Sequence, residues 1–369
     1  LLLAHGDYTV GWNLYESRLD VSPYKERDPA FPQVSWRGDS DLMGRRILIY
    51  PEQGLGDFIN FCRYVPRLVA MGANVVLGCP SVLFALMKTL HPAIELSQEG
   101  ERVDFETHCP IMSLPFALGI RAETICGAAY LTSDQNKVEK WIDRLGVKTK
   151  KRIGLAWSGN PAHKNDHNRS MELTELLPIV DQSFEWHSLQ QHYRDVDVDV
   201  MQQTPLIVNH SHNLTDFSET AALIECLDLV ITVDTSVAHL AGAMGKPVWI
   251  LLPKRPDFRW LLDGSKSAWY NSARLYRQKN QGDWADVLMD VLSDLSHVNF
   301  ISNLLKPCST NPSPVISPAE TELLKVGAML HQQNMIQPAR EIYERALSTE
   351  GVKFQALLLL GLLEQREGR

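Results

Sequence analysis

The sequence predicts an α/β protein in which two doubly wound, Rossmann-like halves follow one another along the chain. Three observations carry this. Residues 45–296 alternate short apolar runs with helical patterns, which is how parallel sheets covered by helices read. The pattern starts afresh at 152–158, directly after the basic stretch Lys148-Thr149-Lys150-Lys151-Arg152. In each half a buried-type strand runs into a polar turn and then a helix, after Tyr50 in one and after Val233 in the other. Two such halves enclose a cleft, and such clefts are where ligands bind.

The elements follow in order. Gly6-Asp7-Tyr8, Gly11, Tyr15 and Arg18 lie on a helix at 1–20; 21–44, with three prolines and many charges, reads as a linker or extended wrap. The first half, 45–150, opens with a strand at 45–50, a loop at 51–57 and a helix at 58–71. A strand at 73–79 and a helix at 81–90 follow. The second half, 151–296, has strands at 152–158, 184–189, 229–233 and 247–252. Residues 297–318 carry four prolines among Ser and Asn and read as a second linker. Beyond it, Leu323, Val326 and Gly327 recur 34 residues later as Leu357, Leu360 and Gly361, with Ala339, Tyr343 and Ala346 on one helical face between them. The segment 319–369 thus resembles a tetratricopeptide repeat, and 1–20 resembles the second helix of another. A chain that begins at Leu1 inside one helical pattern and ends at Arg369 soon after another begins reads as a piece of a longer protein.

Composition narrows the function. Thirty-six basic against 44 acidic side chains give a net charge of -8, which argues against a nucleic-acid-coating protein. No apolar run approaches the roughly 18 residues of a membrane span. The six cysteines, Cys62, Cys79, Cys109, Cys126, Cys226 and Cys308, contain no C-x-x-C pair, which fits the reducing cytoplasm better than a disulfide framework or a zinc ribbon.

Two segments could carry chemistry. The loop Glu52-Gln53-Gly54-Leu55-Gly56-Asp57 offers two glycines for close backbone approach and an acid at a helix start facing the cleft. A dinucleotide fingerprint would need a third glycine where Ile59 stands, so an NAD-dependent dehydrogenase is set aside. Taken alone, Asp57 is accounted for as a helix-end acid worth about 1 kcal/mol. The second segment is more specific. A strand ends in Asp234, Thr235 and Ser236 cap the next helix, and the helix amides point into the cleft as a cradle for a diphosphate. His239 falls one turn inside, within reach of the same anion. A capped helix with a core histidine explains part of this, but not Asp-Thr-Ser-x-x-His followed by Gly245-Lys246-Pro247 and a new strand.

Gly54-Leu55-Gly56-Asp57 together with Asp234-Thr235-Ser236-Val237-Ala238-His239-Leu240-Ala241-Gly242-Ala243-Met244-Gly245-Lys246-Pro247 resembles glycosyltransferase family 9, the ADP-heptose:lipopolysaccharide heptosyltransferases. The chain is more closely similar to bacterial tetratricopeptide-repeat proteins that carry such a domain. Gly159 to Asp166, Asn168-Arg169-Ser170, Ser188-Leu189-Gln190, Asp216-Phe217 with Thr220 to Leu223, and Gly282-Asp283-Trp284 extend the likeness over about residues 40–290. The resemblance implies a GT-B fold, with the donor sugar nucleotide held by the second half and the acceptor approaching the first, between repeat flanks. It implies a metal-independent inverting transfer, without a cofactor, in which Asp57 is the general base. Gly54, Gly56, Lys164, Arg169, Gln190, Asp234, Thr235, Ser236 and His239 would bind the donor, and the length of the 159–170 loop leaves open whether Lys164 or Arg169 meets the phosphates. Heptosyltransferases as such lack flanking repeats, so the acceptor implied here is a protein or glycan recruited by them. The rival reading is a non-catalytic repeat scaffold with a sugar-nucleotide-binding or inert domain.

Other signals are read as structural. Asp195-Val196-Asp197-Val198-Asp199 alternates like a half-exposed edge strand; as an EF-hand it would need a glycine at Val200 and a glutamate at Leu206. His210 with His212, and His163 with His167, lack a matched carboxylate or thiolate, so no metal site is expected. Trp249, Trp260, Trp269 and Trp284 read as core or pocket wall. Arg255, Arg259, Arg274 and Arg277 read as a solvated rim or a phosphate-binding edge.

Overall fold

The computed structural model describes residues 1–22, 25, 31–98, 101–304, 337, 340–342 and 344. It divides into two compact units, Leu1–Asn299 and Phe300–Arg369. In the second unit the described positions are the end of the helix Ala285–Leu304 and helical residues 337, 340–342 and 344. The rest of the expected repeat at 319–369, and residues 305–318 of the expected linker, lie outside the described residues. That linker does not begin at 297 as expected. The first proline is Pro307, so nothing in the backbone stops the Ala285–Leu304 helix earlier.

The expected parallel α/β architecture is present in the first unit. Strands β1 (Val34–Ser35), β2 (Arg46–Tyr50), β3 (Asn74–Cys79), β4 (Glu95–Gln98) and β5 (Thr107–Pro110) form a sheet in the order β1-β5-β2-β3-β4. Strands β6 (Arg152–Ala156), β7 (Glu185–Ser188), β8 (Ile207–Val208), β9 (Leu229–Val233), β10 (Val248–Leu252) and β11 (Ala273–Arg277) form a second, β11-β10-β9-β6-β7-β8. Every pairing between these strands is parallel. Buried on both faces, β6 and β9 have no polar alternation, as expected of strands covered by helices on each side. The wrap at 21–44 contributes β1 and the buried residues Trp36 and Leu42.

The strand order locates the crevices. In the second sheet the chain steps outward through β7 and β8, then returns to the other side of β6 with β9. The carboxyl ends of β6 and β9 therefore flank a topological switch point, where open α/β sheets bind ligands. The first sheet has its counterpart between β2 and β5. One apolar cluster runs from Leu3 and Trp12 through Ile47 and Phe61 to Leu223 and Leu240, so it joins the N-terminal segment to elements of both sheets. A second cluster, with Leu155, Trp186, Ile231 and Val287, fills the space beneath the Ala285–Leu304 helix.

Two local expectations are corrected. The helix at 58–71 is three pieces, Leu55–Phe61, Cys62–Tyr64 and Val65–Ala70. Pro66 has no amide to continue the ladder, which breaks it there. The alternating 195–199 stretch is the start of a helix, Asp195–Gln203, not an edge strand. Its first-turn aspartates favour a helix N-terminus, and Asp197 is buried, accepting from Trp157 Nε1 at 3.0 Å and the Leu173 amide at 2.8 Å.

Candidate active site

The turn after β2 and the turn after β9 meet at the two helices that follow them, Leu55–Phe61 and Ser236–Ala243. The contact depends on Gly56. A β-carbon there would lie 2.8 Å from His239 Cδ2 and 3.6 Å from the Ser236 α-carbon, so only glycine lets these elements approach so closely. Asp57, the next residue, uses one carboxylate oxygen, Oδ2, to accept the Gly54 amide at 2.8 Å. That is the helix-end role anticipated for it. The other oxygen, Oδ1, accepts from Arg259 Nη2, and helix capping does not explain that pair.

Arg259 stands in the short Phe258–Trp260 turn and is buried, although an arginine rim was expected there. It also donates to Asp257 Oδ1 at 2.6 Å and lies over the rings of Phe258 and Phe61, 4.4 and 5.2 Å from their centroids. Burial works against its charge, but Asp257 and Asp57 outweigh it and hold the guanidinium protonated. The other three arginines do not form a phosphate edge. Arg277 donates to the carbonyls of Trp260, Leu261, Asp263 and Gly264, Arg274 pairs with Asp294, and Arg255 is exposed.

At the switch point of the second sheet, Asp234 follows β9 and is buried. Burial first, and the charge of Asp257 second, raise its carboxyl to about 6. Arg169 Nη1 donates to the Asp234 carbonyl at 3.0 Å, tying the 159–170 loop to this turn. Lys164 in the same loop is exposed and takes no part in the cluster, so Arg169 is the cation brought to the turn. The expected hydroxyl caps are absent. Thr235 occupies the N-cap, but its Oγ1 turns to Thr232 Oγ1 at 3.0 Å, and the helix start has no side-chain cap. Its first amides are thereby left available to a ligand.

His239 differs from the expectation of a free anion contact. Its ring stacks on Trp260 at 5.1 Å, and Nδ1 meets Tyr270 Oη at 2.9 Å. Asn60 Nδ2 donates to the same hydroxyl at 2.7 Å, so Tyr270 is left to donate its proton to Nδ1. Burial, then the charges of Arg259, Arg63 and Arg169, depress the imidazole well below its ordinary value and keep it neutral. Gln190, past β7, is also engaged: its side chain accepts from the Ser158 amide at 3.3 Å and donates to Ser158 Oγ at 2.9 Å. It therefore braces the loop after β6 and does not extend into open space.

The sequence singled out Asp57, Arg169, Asp234, Thr235, Ser236 and His239, and they converge here. It missed the roles of Arg259, Asn60 and Tyr270. An arginine inside the apolar run Pro256-Asp257-Phe258-Arg259-Trp260-Leu261-Leu262 was the available signal, since a charge in such a run needs a buried partner.

Comparison with known proteins finds a family likeness that includes one of the two turns. Residues 212–258, which include β9, the Asp234–His239 turn and β10, match the model of glycosyltransferase family 9 (heptosyltransferase). The chain is 26% identical over 331 residues to Protein FlbA of Caulobacter vibrioides, covering 80% of this chain and 53% of that protein. It thus spans about half the length of that relative. Among solved structures, a glycosyl transferase family 9 protein of Veillonella parvula superposes with a TM-score of 0.50 at 11% identity, over 71% of this chain and 99% of the other. The ADP-heptose lipopolysaccharide heptosyltransferase II of E. coli gives 0.48 at 14% identity, over 70% and 99%. At 11% identity the superposition on the Veillonella parvula protein speaks for the fold alone. The likeness to family 9 in sequence is confined to residues 212–258.

Proposed function

We propose that this chain is a glycosyltransferase that moves a sugar from a nucleoside-diphosphate sugar to an acceptor hydroxyl, inverting the anomeric carbon without a metal. The observation that carries the reading is the packing of the Asp57 turn, through Gly56, against the Asp234–His239 turn, the latter lying within residues 212–258 that match family 9. The donor diphosphate lies against the Ser236 and Val237 amides, with Arg169 as its cation and Lys164 at the open rim. Gly54 admits its close approach, Gly56 brings the two turns together, and Gln190 braces the loop that walls the nucleotide side of the crevice. The acceptor oxygen attacks the anomeric carbon from the face opposite the diphosphate. The carbon–oxygen bond to phosphate breaks, its electron pair stays on the diphosphate, and the acceptor proton passes to Asp57. Arg259 pairs with Asp57 Oδ1 and so fixes where its carboxylate stands. The acceptor is a protein or glycan recruited by the segment at 319–369, which its sequence pattern makes a repeat. Five free thiols among the described residues fit a cytoplasmic setting.

One observation favours the second reading, a non-catalytic binding module: both Asp57 oxygens, the Gln190 amide and His239 Nδ1 are satisfied within the protein. Thermal unfolding with ADP-, UDP- and GDP-sugars, with and without EDTA, tests both. A specific donor at a hundredfold excess over its Kd stabilises by about 2.7 kcal/mol, and EDTA should leave that shift unchanged. Asp57→Asn should retain the shift and lose release of free nucleoside diphosphate in the presence of acceptor. Turnover retained by this variant would refute the base assignment, and strong inhibition by EDTA would refute the metal-free mechanism.

A further inference from the structure

The switch-point crevice of the first sheet, between the ends of β2 and β5, is filled by a side chain from the N-terminal segment. Arg18 Nε and Nη2 donate to Glu52 Oε1 and Oε2 at 2.7 and 2.6 Å, a two-pronged pair with the residue that follows Pro51 at the end of β2. Nη2 also donates to Ser113 Oγ at 2.9 Å, just past β5, and Nη1 donates to Glu16 Oε1 at 2.8 Å. Ser113 Oγ in turn lies 2.9 Å from Glu16 Oε1, which closes the network. The three charged side chains are only 5–7% exposed. Burial opposes the Arg18 charge, but Glu52 and Glu16 outweigh it.

Three further contacts extend the hold. Gln53 Nε2 donates to Tyr15 Oη at 2.8 Å, and Arg18 lies over the Tyr15 ring at 4.7 Å. Tyr15 and Trp12 pack on Phe258 at 5.9 and 5.8 Å, next to Arg259. The segment therefore grips both sides of the Asp57–Arg259 pair: Glu52 and Gln53 on the Asp57 loop, and Phe258 on the Arg259 turn.

We propose that Arg18, assisted by Tyr15, is a positioning residue that fixes the Glu52–Asp57 loop, so that the helical segment at 1–20 is an integral part of the catalytic site. The residue acts through Glu52 and touches no substrate. The catalytic part of this inference rests on the glycosyltransfer reading; the ordering part does not. A flexible two-glycine loop held at only one end would sample many conformations, and a base 1 Å out of place loses much of its rate.

The test uses the full chain with Arg18→Gln, Arg18→Lys and Tyr15→Phe, the last of which removes no charge and folds even where Arg18→Gln does not. Amide hydrogen exchange is measured at 52–57 and, as an internal control, in β9 and β10. Release of nucleoside diphosphate from the best sugar nucleotide of the panel is followed in parallel. Expected are at least tenfold faster exchange at 52–57 in Arg18→Gln, a smaller rise in Tyr15→Phe and Arg18→Lys, and no change in the control strands. Donor KM should stay within about twofold while kcat falls about tenfold, with partial recovery in Arg18→Lys. Unchanged exchange at 52–57, or an equal rise in every element, overturns the proposal. So does a higher kcat, which would mean that the segment blocks the crevice. If the unaltered chain neither binds nor turns over any sugar nucleotide of the panel, the function reading fails, while the exchange result still decides whether Arg18 orders the loop.

Discussion

Replacing Asp234 by Asn removes a charge that the fold itself opposes. The carboxyl is buried beside Asp257, which raises it from 3.8 to about 6. A carboxyl raised on folding binds protons more tightly in the folded than in the unfolded chain. Its contribution is thus most favourable below about pH 4 and is lost as the pH rises through about 6. Above that, ionised Asp234 destabilises the fold by a little over two pH units of proton affinity, about 3 kcal/mol as a ceiling. Urea unfolding followed by tryptophan fluorescence should therefore find Asp234→Asn more stable than the natural chain by about 2–3 kcal/mol at pH 7.5. The difference should shrink to about 1 kcal/mol near pH 4.5. The same variant should bind the stabilising sugar nucleotide more weakly, because strain at a functional turn is retained for its function. A variant less stable at pH 7.5, or a difference that does not change with pH, would refute the assignment of strain to this carboxylate.

Gly56→Ala places a methyl group 2.8 Å from His239 Cδ2, an overpacking of about 1–3 kcal/mol. It should reduce stability by that amount in chemical unfolding and reduce sugar-nucleotide binding with it, whereas Gly264→Ala, which has open space around it but a left-handed backbone (φ 79°), should cost stability alone and leave binding unaltered. Away from the site, His187 Nδ1 meets His210 Nε2 at 3.0 Å, and burial holds both imidazoles at about 4. Both are neutral when folded and take up protons on unfolding below about pH 6.5, so stability should be full above that value and fall as the pH drops towards 4. His210→Gln should flatten this fall by up to about 3 kcal/mol, read as the unfolding midpoint against pH.

What could be read in the sequence follows the range of the interactions. Strands β2, β3, β6, β9 and β10 are short, mainly apolar runs with buried centres, and the sequence places each to within about two residues at its ends. β1 and β8 have two residues each, too few to leave a periodic signal. The Asp234–His239 turn was legible because its residues are contiguous and their chemistry is local. Arg259 was misplaced on a rim because Asp57 and Phe61, the groups that bury it, lie about 200 positions away. The Arg18–Glu52–Ser113 network spans 34 and 95 positions, and no spacing rule connects such residues. The alternation at 195–199 misled because Asp197 has a buried hydrogen-bonding role that outweighs the pattern of its neighbours.

Arg63 decides whether the two sheets behave as one body. It follows the Leu55–Phe61 helix, and its guanidinium bonds to both halves. Nη1 donates to the carbonyls of Cys126 and Trp269 at 3.0 and 2.8 Å, Nε to the Asn60 carbonyl at 2.8 Å, and Nη2 to Tyr130 Oη at 3.1 Å. It also lies over the rings of Tyr130, Tyr270 and Trp269 at 4.6, 4.8 and 5.4 Å. Lysine would keep the charge but not the planar fork that reaches four acceptors. Hydrogen bonds to a charged donor are each worth about 1.5–3 kcal/mol, so Arg63→Lys should lose roughly 3 kcal/mol or more. Because the loss is concentrated where the sheets meet, the calorimetric transition should broaden or split, with the first sheet unfolding separately from the second. Donor binding depends on the Asp57 and Asp234 turns staying together, so the nucleotide-induced shift should fall in the same variant. A single transition at an unchanged temperature would show that the apolar cluster from Trp12 to Leu240 joins the sheets without Arg63.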